Sequence, residues 1–139
     1  TEYSVQQVQS LADVVYDIKK IGARPASGSF QIDEMIIVPC SMKTVAGIAG
    51  GYSDNLLLRS ADVMLKEGRP LFLVARESPL SMIHLRNLHE LSMMGVRIIP
   101  PMVSYYQGYK TIEEWTNNFV ERLLDKMEIQ NNVKAWDGM

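Results

Sequence analysis

Apolar and polar positions follow two different rhythms along this chain. Over residues 4 to 18, SVQQVQSLADVVYDI, the apolar side chains Val5, Val8, Ala12, Val15 and Ile18 recur every three or four positions behind Ser4. That spacing predicts an amphipathic helix capped by Ser4. A polar loop is expected to follow to about Asp33. The rhythm then changes to three short, nearly unbroken apolar runs: MIIV (35 to 38), LFLVA (71 to 75) and VRII (96 to 99). Continuous rather than alternating hydrophobicity predicts strands covered on both faces, as in a parallel sheet.

Helical patterns separate the runs. Between the first two lie a short segment from Lys43 to about Ala49 and the helical DNLLLRSADVMLKEG, which stops at Gly68. Between the second and third, PLSMIHLRNLHELSMMG has helical spacing and stops at Gly95. After the third, TIEEW opens a last helix as a capping box formed by Thr111 and Glu114. Strand and helix in strict alternation predict an α/β fold of the three-layer, doubly wound Rossmann or flavodoxin-like kind, a parallel sheet with helices on both faces. No internal repeat or second domain interrupts it, so residues 1–139 read as one domain.

Composition removes whole classes of function. The 139 residues are 47% apolar, enough for a real core and against disorder. Fourteen basic and 16 acidic side chains give a net charge of -2, without the positive excess that binding nucleic-acid backbone needs. One cysteine excludes an internal disulfide, and no basic-then-apolar leader or membrane-length apolar run is present, so a cytoplasmic protein is expected. His84 and His89 stand five apart and match no metal-ligand spacing, so no metal site is expected.

The topology says where to look for chemistry. Parallel strands end on one edge of the sheet, so the segments starting at Pro39, Arg76 and Pro100 should gather along a single ligand-binding rim. The first offers Cys40, Ser41 and Thr44 at a turn into a helix, where free N–H groups favour an anion. The second offers Arg76 beside Glu77, and the third the loop PPMVSYYQGY with Tyr105, Tyr106 and Tyr109. Hydroxyl donors, an arginine and aromatic faces suit a flat, phosphorylated, aromatic ligand such as flavin mononucleotide (FMN).

The stretches ASGSF, VPCSMKT, DNLLLRSADVMLKEGRPLFLVARESPLSMIHLRNL and GVRIIPPM with its following tyrosine pair closely resemble the UbiX-type flavin prenyltransferases, from about Thr1 to Trp136. The resemblance implies metal-independent transfer of a dimethylallyl group from dimethylallyl monophosphate to N5 and C6 of reduced FMN. The product, prenylated FMN, would serve a UbiD-type decarboxylase. It further implies that Ser41, Met42, Lys43, Thr44 and Arg76 bind FMN, with Glu77 managing protons. Lys66, Tyr106 and Arg122 would hold the prenyl phosphate, and Ser27, Gly28 and Arg59 would reach it from a neighbouring subunit of a dodecamer. Trp136 would help cover the site. In the family a strand, a glycine-rich turn, a helix and a second strand precede this region, so the chain is expected to lack the family's N-terminal βαβ part.

The chemistry agrees with those residue types. Breaking an allylic C–O bond spreads positive charge over the prenyl group and leaves negative charge on phosphate, which fixed cations and hydroxyl donors stabilise. Aromatic faces stabilise the cationic fragment. Two other classes remain open: an FMN-dependent decarboxylase of the cysteine-decarboxylase type, and a non-catalytic subunit of an aromatic acid decarboxylase complex. The first favours Pro-x-Met-Asn, where this chain has Val103 in place of the asparagine. The second would have no use for Lys66, Tyr106 and Arg122 together. Without the resemblance, Lys66 and Arg122 read as solvated helix charges, Ser27–Gly28 as a turn, and the nine methionines as core filler. Cys40 reads as a packing residue rather than a nucleophile, because no positioned base accompanies it.

Overall fold

The computed structural model describes residues 2–129 of the chain. At its centre is a three-stranded parallel sheet in the order β1 (Met35–Cys40), β2 (Leu71–Ala75), β3 (Arg97–Ile98). The run LFLVA forms β2 with no residue to spare, buried at every position. A strand paired on both edges and covered on both faces has no polar side to show. β1 continues past MIIV to Cys40, and its pairing skips between Ile37 and Cys40. Pro39 lies in that gap and has no N–H for the ladder. β3 is shorter than VRII, although the Ile99 N–H still donates to the Leu73 carbonyl at 2.9 Å.

Helices cover both faces. On one, Leu71, Leu73 and Ala75 of β2 meet Val45 and Ile48 of α2 (Met42–Ala49), Ala61 and Met64 of α3 (Leu56–Lys66), and Leu91 of α4 (Met82–Met93). On the other lies α5 (Ile112–Lys126). Phe72 and Arg97 are register partners and share that second face. There the Arg97 guanidinium stacks 5.0 Å from the centre of the buried Phe72 ring and donates to the Lys126 carbonyl at 3.0 Å. The described strands run in sequential order, so both crossovers have the same sense and place α2, α3 and α4 together.

Local signals set the helix ends. Ser41, Asn55, Ser81 and Thr111 are N-caps whose side-chain oxygens accept from the N–H groups of Thr44, Leu58, His84 and Glu114. Gly68 and Gly95 take φ of +64° and +86° just past α3 and α4. At each, the next residue's N–H reaches back to a helical carbonyl, Arg69 to Met64 and Val96 to Leu91, the Schellman ending that favours glycine. The box at α5 differs in one arm. The Glu114 carboxylate takes the N–H of Lys110 at 2.8 Å, one residue before the cap.

The first helix is a correction. Ser4 does cap it, in a reciprocal capping box with Gln7, but α1 spans only Val5–Gln9 and the chain is extended or turning from there to Ile18. Val5, Val8, Val15 and Ile18, the side chains that carried the periodicity, are exposed. Helices this short are held mainly by tertiary packing of their apolar face, and β-branched residues give little help of their own. The Ile18 carbonyl instead accepts from Leu56 N–H at 2.8 Å, tying this segment to the start of α3. Among the described residues no helix is long and apolar enough to cross a membrane.

Candidate active site

Two of the three expected rim segments start where β1 and β2 end. After β1, Ser41 caps α2: its Oγ lies 3.3 Å from Thr44 N and 3.2 Å from Thr44 Oγ1. Capping fixes the orientation of this helix start, with Lys43 exposed on its first turn. Met42 is different, because its side chain is buried in the core and leaves only its backbone to face a ligand. After β2, Arg76 and Glu77 are both exposed, and Glu77 Oε1 accepts from Ser78 N at 3.0 Å. A hydroxyl, helix N–H groups and a guanidinium form a donor set that fits the phosphate and polar ring edge of FMN.

Beyond β3 the chain builds a cavity of about 470 Å³ between the segment from Arg97 to Ser104 and helix α5. Arg122 lines it together with Trp115 and Phe119, whose rings stack with centres 5.7 Å apart. The Trp115 indole N–H donates to the Met102 carbonyl at 3.3 Å, which holds the loop against the helix. In the same loop, Gln107 Oε1 accepts from both Ser104 and the Tyr109 hydroxyl. Partial burial raises the Tyr109 hydroxyl's pKa, with Arg122 opposing and Tyr106 and Glu121 adding to the rise. Tyr106 and Arg122 thus both act on Tyr109, but only Arg122 lines the cavity. Tyr105 and Tyr106 are largely exposed.

Lys66 does not join them. It ends α3 at the opposite edge of the sheet, just before β2 begins, whereas Arg76 follows the end of β2. A five-residue strand spans roughly 17 Å, which separates Lys66 from the rim segment after β2. Lys66 instead pairs with Glu67 at 3.3 Å, and a Cβ on Gly28 would stand 2.7 Å from Glu67 Cδ. It thus groups with Ser27 and Gly28, the residues expected to serve a neighbouring subunit. Arg59, on the same helix, is paired with Asp62 at 2.7 Å. Within one chain Lys66 is thus apart from Arg122, because spacing along the chain carries no record of which sheet edge a helix end meets. Trp136 lies outside the described residues.

Cys40 is a packing residue. It is 2% exposed, and burial pushes its thiol up to about 11. The unfolded chain ionises this group near its ordinary value of 9.0, so the stabilisation is complete below that pH and is lost as pH rises toward 11. The urea midpoint of the wild type should therefore exceed that of Cys40→Ala at pH 8, with the gap narrowing by pH 11. A gap that widens would contradict a buried neutral thiol.

A parallel sheet whose carboxyl edge carries a capped helix start and an Arg–Glu pair, with a cavity walled by aromatics and a cation, defines an α/β protein of the flavin-binding class. Accordingly, the Flavoprotein family matches residues 4–127. Flavin prenyltransferase LpdB of Lactiplantibacillus plantarum is 48% identical over 99% of this chain and 74% of its own length. The crystal structure of a dodecameric FMN-dependent UbiX-like decarboxylase from Escherichia coli O157:H7 is 47% identical, with a TM-score of 0.94 over 99% of this chain and 75% of that one. AnUbiX (PadA1), solved with FMN and dimethylallyl pyrophosphate, is 45% identical with a TM-score of 0.92 over the same shares, 99% and 75%. This chain belongs to the UbiX-like flavin prenyltransferases of the Flavoprotein family.

Proposed function

We propose that this protein transfers a dimethylallyl group from dimethylallyl monophosphate to reduced FMN, making prenylated FMN for a UbiD-type decarboxylase. The observation that carries the proposal is the cavity after β3, where Arg122 and the stacked Trp115–Phe119 pair share one wall. Bound reduced FMN supplies the nucleophilic N5 and C6 positions. Ser41, the backbone of Met42 and Lys43, Thr44 and Arg76 hold it at the rim. Arg122 and Tyr106 take the negative charge that collects on phosphate as the allylic C–O bond breaks and its electron pair leaves with the oxygen. The aromatic faces stabilise the cationic carbon fragment without reacting with it. Glu77, exposed next to Arg76, is the carboxylate assigned to accept the protons displaced at N5 and C6.

The site is completed between subunits. Ser27, Gly28 and Lys66 group at the end of α3, and together with Arg59 of the same helix they would act on the phosphate in an adjoining copy. The dodecameric relative supports such sharing.

The test is anaerobic incubation of the intact protein with reduced FMN and either dimethylallyl monophosphate or the diphosphate, followed by mass spectrometry of the flavin. A flavin heavier by one prenyl unit is expected with the monophosphate. Bound FMN without that product would overturn the assignment, and product from the diphosphate alone would overturn the choice of donor.

A further inference from the structure

We propose that Arg69 is a positioning residue for prenyl transfer, holding the Ser27–Phe30 turn in the shape that meets the donor phosphate. This rests on the reading above in which Ser27 and Gly28 contact that phosphate. Arg69 follows Gly68 in the Schellman ending of α3, and its own N–H is fixed to the Met64 carbonyl at 2.9 Å. From that anchored backbone its guanidinium reaches about forty residues back along the chain. Nη2 donates to the Gly28 carbonyl at 2.7 Å and Nη1 to the Phe30 carbonyl at 2.9 Å. The turn closes on itself through Phe30 N–H to the Ser27 carbonyl at 3.1 Å and a 2.8 Å contact between the Ser27 and Ser29 hydroxyls.

A planar guanidinium that takes two carbonyls of one turn fixes both its position and its tilt, which a single point contact cannot do. Gly28 completes the clasp from the other side, because the absence of a Cβ lets the Glu67 carboxylate lie against it while pairing with Lys66. The last turn of α3 therefore sets Lys66, Ser27 and Gly28 in one fixed relation. Arg69 spends its hydrogen bonds on backbone and does not itself need to touch phosphate. Its role is geometric, and small displacements of a binding group are costly to transfer rates.

The experiment measures KM for dimethylallyl monophosphate, kcat and FMN affinity in the intact enzyme for wild type, Arg69→Gln, Arg69→Lys and Ser27→Ala, with a thermal melt of each. Arg69→Gln should raise KM roughly tenfold or more while FMN affinity stays at the wild-type value. Arg69→Lys, which keeps the charge but reaches one carbonyl, should fall between, and it keeps the test open if the glutamine variant fails to fold. A lowered melting temperature with unchanged KM in the Arg69 variants would reduce Arg69 to a structural clasp and overturn the proposal. If Ser27→Ala raises KM and neither Arg69 variant does, the Arg69 proposal alone fails. If Ser27→Ala leaves KM unchanged, the underlying assignment of the turn to the phosphate fails instead.

Discussion

Replacing Arg122 by alanine is expected to lower kcat/KM for prenyl transfer roughly a hundredfold to a thousandfold, the usual cost of losing one fixed donor from a developing anion. FMN affinity should not change. Arg122 projects from α5 into the cavity that also holds Trp115 and Phe119, whereas the expected flavin ligands Ser41 to Thr44 belong to the start of α2. The two groups sit on helices covering opposite faces of the sheet. Steady-state kinetics paired with a flavin-binding titration separates the two functions. Parallel loss of flavin binding and transfer would show that Arg122 supports the pocket as a whole rather than the donor phosphate.

The largest effect on stability should come from Phe72→Ala. The ring is fully buried in the central strand, and truncating such a residue costs about 3–5 kcal/mol. Against a typical total of about 5–15 kcal/mol, that brings the protein close to unfolding at ambient temperature. The loss also removes the surface on which Arg97 stacks, and Arg97 ties the end of α5 to the sheet. Urea unfolding monitored by circular dichroism checks the magnitude. Phe72→Leu, which keeps most of the burial but not the cation–π partner, should lose about 1 kcal/mol or more. A Phe72→Ala variant as stable as wild type would mean that the second face of the sheet is not closed by α5.

Much of this architecture could be read from residue pattern because the physics behind it is local. LFLVA announces a doubly covered strand, and Thr111, Gly68 and Gly95 bracket helices through bonds made within a few residues of themselves. The rim segments followed from topology alone. What failed needed contacts distant in sequence. The Val5 to Ile18 periodicity is real, but periodicity makes a helix only when its face has a partner, and those side chains are exposed. The Met42 side chain is core by burial, which leaves only its backbone for the ligand role that its position suggests. Arg69, Arg97 and Trp115 went unnoticed because a charged residue beside a strand, or a tryptophan on a polar helix, looks like surface until its long-range partner is seen. The one usable hint was their placement directly after a helix stop or just inside a cap.

The loop between β3 and α5 is pinned at both ends, by Ile99 to Leu73 on one side and by the Thr111 cap and the Trp115 bond to Met102 on the other. What lies between, from Val103 to Lys110, forms part of the pocket wall without bearing on the sheet. Side-chain substitutions at Val103 and Ser104, which line the cavity and take no part in the strands or caps, would alter its depth. On the proposed reading, variation at these two positions would retune which allylic chain is accepted at little risk to folding, and they are the first place to engineer a longer prenyl donor.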